Sequence, residues 1–125
     1  MVIIMEPKTI IKEKNNPNVI LMVEQLSIQQ LIDIAMDSEN DNIRAHSKEE
    51  LFKRGQDNIQ SRITVKKACR ATISGLEEII KRFDTGKNNI DKNLLKSYKG
   101  KFLTSISILD KLQLEWQRYD LMLKQ

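Results

Sequence analysis

The sequence predicts an all-α protein: two short N-terminal helices, then a long antiparallel helical hairpin, assembled as an oligomer. Two stripes of heptad spacing carry that reading. Val65, Cys69, Thr72, Leu76, Ile79 and Phe83 step by four and three in alternation. Leu95, Tyr98, Phe102, Ser105, Leu109, Leu112, Trp116, Tyr119 and Leu123 repeat the pattern. Such steps keep side chains on one side of a helix, because a turn takes about 3.6 residues. Between the stripes, residues 84–93 read DTGKNNIDKN, a polar, turn-prone stretch with room for the chain to reverse. Apolar content of 40% with 30% charge suits a soluble helical chain and excludes a wholly disordered one.

The elements follow in order. Residues 1–19 are expected to form a flexible arm, since Pro7 and Pro17 bracket Ile10, Ile11 and a Lys-Glu-Lys-Asn-Asn stretch without any period. Residues 20–56 form the short-helix region. Ile20 to Leu26 supply a turn or short helix, and Ser27-Ile28-Gln29-Gln30 is a capping box, in which serine and glutamine satisfy each other's backbone N–H groups. Leu31, Ile32, Ile34, Ala35 and Met36 give the helix that follows an apolar face to about residue 37. Asn40 or Asp41 caps a second helix over 42–54, with Ile43, Ala45, Leu51 and Phe52 as its apolar positions. Lys53-Arg54 before Gly55 predicts its stop, because cations suit the carbonyl-rich end and glycine tolerates a left-handed turn.

Residues 57–125 hold the hairpin. Its first arm, from Asp57 or Asn58 to Phe83, reads in two ways. The unslipped register favours one helix. Ser74-Gly75-Leu76-Glu77 is a second capping box, and with it the arm divides near Thr72–Ser74. The second arm runs from about Leu94 to Lys124. Leu103, Leu114 and Leu121 lie off its seam and have no partner within a simple hairpin. They are the predicted oligomer interface, unless the 20–55 helices fold back over them.

Chemistry of the catalytic kind finds little support, and the protein is expected not to be an enzyme. His46 has Glu49 and Glu50 three and four residues on, too few ligands for a good metal site. Cys69 sits on the seam, where a thiol behaves as a small apolar filler. One cysteine excludes an internal disulfide and places the chain in a reducing compartment, the cytoplasm. No glycine-rich phosphate loop, cofactor motif or metal site is expected, and no run approaches the ~18 apolar residues of a membrane span.

The formal charge of +4 is unevenly spread. Residues 1–43 carry three basic and seven acidic side chains, net −4, whereas 44–70 carry eight and three, net +5. Residues 81–101 add seven basic and two acidic, net +5. Two basic blocks can attract phosphates. The first, from Arg62 to Arg82, resembles helix-turn-helix sequences, with Ala68 facing the second helix and Lys81-Arg82 at phosphate. Its turn is one residue short, and Glu77-Glu78 sit badly near DNA. The second is the hairpin tip with Lys81, Arg82, Lys87, Lys92, Lys96, Lys99 and Lys101. Arg62, Lys66, Lys67, Arg70, Lys81, Arg82 and Lys87 are the candidate DNA-binding residues.

Gln29-Gln-Leu-Ile-Asp-Ile-Ala35, the Asn-Asp break, and Ile43-Arg44-Ala45 through Glu49-Glu-Leu-Phe-Lys-Arg54-Gly55 resemble small subunits of tailed-phage terminases. The resemblance covers residues 27–55, a quarter of the chain. It implies a non-enzymatic component of viral DNA packaging that forms rings through long helices, binds duplex DNA and regulates a large motor subunit in the host cytoplasm. The family's DNA-binding element lies toward the N-terminus, where this chain is net acidic. The alternative is a helical adaptor between proteins, a virion or host-takeover factor, with no nucleic acid.

Overall fold

A computed structural model describes residues 17–85 and 91–125. Among them are five α-helices and no strand: α1 Pro17–Glu24, α2 Ile28–Asp37, α3 Asp41–Gln56, α4 Ile59–Thr85 and α5 Lys92–Leu123. Most of the expected arm lies outside the described residues, and its last three positions already belong to α1.

Local chemistry sets the helix starts. Ser27 Oγ accepts from Gln30 N at 3.1 Å and Gln30 Oε1 accepts from Ser27 N at 2.9 Å, so the capping box forms in full. Asn40 caps α3 by accepting from the N–H groups of Asn42 and Ile43. Asp91 does the same for α5 through Asn93 and Leu94, which starts that helix two residues earlier than its apolar pattern suggests. Of the expected loop over 84–93, residues 86–90 lie outside the described ones.

Gly55 does not stop α3, which continues to Gln56 with Gly55 buried inside it. The reason is steric. A Cβ on Gly55 would stand 2.4 Å from Trp116 Cζ2, so only a bare backbone admits the indole there. Trp116 Nε1 donates to the Phe52 carbonyl at 2.9 Å, fixing the ring against α3. The buried positions of α3 are Ser47, Leu51 and Gly55, whereas Ala45 is exposed. The small Ser47 and the bare Cα of Gly55 let neighbouring helices approach closely.

α4 is one unbroken helix of about 40 Å at 1.5 Å per residue, and the divided reading is not realised. Val65, Cys69 and Leu76 are all buried on the same side, and a break at Ser74 would rotate the later part of that stripe away. Gly75 faces open space, so it weakens the helix without leaving a gap in the packing.

The hydrophobic core draws on every helix. Val23 of α1, Leu31, Ile32 and Ala35 of α2, and Leu51 of α3 cluster with Val65 and Cys69 of α4 and Ile108, Leu109, Leu112 and Trp116 of α5. The short-helix region and the long helices therefore share a single core across the expected boundary at residue 56. Arg54 seals the end of α1 by donating to the Val23 and Glu24 carbonyls at 3.3 and 3.1 Å. Along the two long helices, Arg62 near the start of α4 meets Asp120 near the end of α5. Phe83 near the end of α4 meets Tyr98 near the start of α5, with ring centroids 5.8 Å apart.

Candidate nucleic-acid and assembly surfaces

Arg62 was expected at a phosphate, and the structure uses it otherwise. Its residue is 8% exposed. Nε donates to the Gly55 carbonyl at 3.0 Å and Nη2 to the Gln56 carbonyl at 3.2 Å, so the final carbonyls of α3 are satisfied from the next helix. The two Nη atoms grip the Asp120 carboxylate at 2.7 and 3.1 Å, a bidentate pair. The guanidinium also lies over the Trp116 ring, 5.3 Å from its centroid. Binding a phosphate would strip four hydrogen bonds from a buried cation, so Arg62 leaves the DNA-binding set. Asp120 responds as a partner should: hydrogen bonding to Arg62 holds its carboxyl below the ordinary carboxylate range. Beside it, the Tyr119 hydroxyl donates to Asp57 at the link between α3 and α4, and that bond raises the phenol above its usual range.

Lys66, Lys67 and Arg70 are different. Their positions one and four apart put them on one outer face of α4, with Lys67 and Arg70 exposed and Lys66 half-buried. Their charged ends make no hydrogen bond or ion pair with the described residues. Lys81 and Arg82 stand about three turns beyond Arg70, exposed, where Lys81 pairs with Glu77 at 3.2 Å and Arg82 with Glu78 at 3.7 Å. Exposed i,i+4 pairs of this kind contribute little to stability. Lys87 lies outside the described residues. At the tip, Lys101 is engaged with Asp37 at 3.4 Å, where it sits against the C-terminal end of α2.

Leu103, Leu114 and Leu121 are 66%, 45% and 56% exposed, even though α1 to α3 pack against the long helices. The fold-back therefore covers the seam and leaves this stripe bare. Leu123, expected on the seam, is 63% exposed and stands beside exposed Met122 at the end of α5.

The remaining chemistry-bearing residues stay quiet. Cys69 is 1% exposed, and burial pushes its thiol up to about 11, away from thiolate reactivity. His46, Glu49 and Glu50 border a cavity of about 50 Å³, but Glu49 is turned to Lys53 at 3.5 Å. No group of three or more potential metal ligands occurs among the described residues. No helix described is long and apolar enough to cross a membrane.

Comparison with protein-family models, with curated proteins and with solved structures finds no match to this chain.

Proposed function

We propose that this is a non-enzymatic assembly protein that engages duplex DNA, in the manner of a small terminase subunit serving a larger packaging motor. In that reading α4 and α5 form an antiparallel hairpin, supported by the Arg62–Asp120 and Phe83–Tyr98 contacts at its two ends. The leucine stripe of α5 joins copies of the chain, and the outer face of α4 meets phosphates. One observation carries the DNA half: three neighbouring cations, Lys66, Lys67 and Arg70, share one face of α4, and no carboxylate among the described residues pairs with them. Contacts of this kind position a protein on a duplex without reading bases.

The test is a binding isotherm for a duplex at several salt concentrations. Replacing Lys66, Lys67 and Arg70 together by alanine weakens binding and flattens the log–log salt slope by about 0.9 for every phosphate no longer neutralised. An unaltered slope defeats the assignment. Arg62→Ala serves as a control that lowers stability instead.

The bare leucines also support a second reading, a helical adaptor for another protein without nucleic acid. Native mass measurement separates the two. A closed homo-oligomer that binds duplex favours the first, and a monomer indifferent to DNA favours the second.

A further inference from the structure

α5 buries one side and bares the other. Ser105, Leu109, Leu112 and Trp116 turn to the core, and Leu103, Ser107, Asp110, Leu114, Gln117 and Leu121 fall on the opposite side, all exposed. Their steps alternate between four and three, the spacing of a two-stranded coiled-coil seam. Only half of this stripe is apolar, and its polar members restrict what can cover it. A parallel two-fold pair would set Asp110 against the partner's Asp110 and Lys96 against the partner's Lys96, like charges within the seam itself. An antiparallel pair has a register free of that conflict. It sets Leu103 on the partner's Leu114 and Ser107 opposite the partner's Asp110, each contact made twice about the two-fold axis. Beside the seam, Ser97 then meets the partner's Arg118, Lys111 the partner's Thr104 and Lys99 the partner's Asp120, so no like charges face each other. A slip of one heptad loses the fit. In one direction Asp110 meets the partner's Leu114 and Lys111 meets the partner's Lys111; in the other no leucine meets a leucine.

We propose that two copies of the chain pair along α5 in this antiparallel register, the Ser107 hydroxyl donating to the partner's Asp110 carboxylate at the centre and Leu103 packing on the partner's Leu114 to either side. Further out, Leu121 lies along the aliphatic stem of the partner's Lys96. The pairing rests on the assembly reading above and adds to it the stoichiometry, direction and register of the contact. A two-fold interface requires one patch to be complementary to itself, and this stripe is. Its polar centre gives up some apolar burial and in return fixes the register, as polar seam residues do in coiled coils.

The test uses the intact chain with one added cysteine at a time, placed beside the leucines and not among them: Ser97→Cys, Arg118→Cys and Lys111→Cys, all at exposed positions. Cys69 is buried in the core and stays out of the reagent's reach. After mixing at high dilution and reconcentration, a short bismaleimide should link Ser97→Cys to Arg118→Cys and link neither variant to itself. Lys111→Cys alone should stay unlinked. Self-linking of Lys111→Cys marks the slipped register and overturns the proposal, and so does a mixture that gives no linked dimer. Native mass of the wild type at the same concentration separates two kinds of failure. An assembled wild type without the expected link removes this pairing alone, whereas a monomer removes the assembly reading with it.

Discussion

Two glycines of one chain obey opposite rules, and their surroundings decide which. Gly75 lies inside α4 with nothing within 4 Å of a Cβ, so Gly75→Ala should stabilise by about 0.5–1 kcal/mol through helix propensity. Gly55 also lies inside a helix, yet its Cβ would meet the Trp116 ring, so Gly55→Ala should destabilise by about 1–3 kcal/mol through overpacking. Thermal unfolding of the two variants should move in opposite directions. Arg62 gives a second residue-scale prediction. Its hydrogen bonds to two helix-terminal carbonyls make Arg62→Met cost about 2–3 kcal/mol, with little credited to the half-exposed ion pair. Asp120 sets the pH dependence. Its folded-state pKa lies below the unfolded one, so its contribution is present above the ordinary carboxylate pKa and fades as pH falls through the lowered value. Wild type and Asp120→Asn should therefore differ in denaturation midpoint at neutral pH and converge in acid.

At the scale of elements, legibility followed periodicity. The seam of α4 and α5 was readable because large apolar residues repeat at three and four; of the large apolar residues buried on these helices, Val65, Leu76, Leu109, Leu112 and Trp116 lie on it, and Ile108 lies beside it. The capping box of α2 was readable because it is local chemistry. Ser27→Ala should cost about 1 kcal/mol by removing an acceptor that no other group replaces. α3 resisted. Its buried face is Ser47, Leu51 and Gly55, of which only leucine signals burial, and the glycine looked like a stop. Arg62 was misplaced for a related reason: its charge drew it toward phosphate. The usable signal was its register, since 62, 65 and 69 continue the seam upstream by three and four.

For the whole molecule, the single core makes Cys69 a reporter of global opening. All five helices contribute to the cluster around it. Its thiol is buried and held protonated, so a maleimide reagent near neutral pH should label it only as fast as the protein unfolds, and at once in denaturant. Labelling at the rate of a free thiol in the native state would mean that the core opens locally. Shared burial also explains why the bare leucines matter. With the core already closed by one chain, Leu103, Leu114 and Leu121 are not needed for folding. Under the proposed assembly through this stripe, exchanging them for serine should yield a monomer while leaving the unfolding midpoint nearly unchanged.

Trp116 closes a core that begins at Val23, and the intervening chain must be made before the lock exists. While the protein is being synthesised, Leu31, Ile32 and Leu51 emerge with nothing to cover them until the far arm arrives. Native packing thus waits until Trp116 has been made, and until then the apolar faces of the earlier helices stay uncovered on the nascent chain.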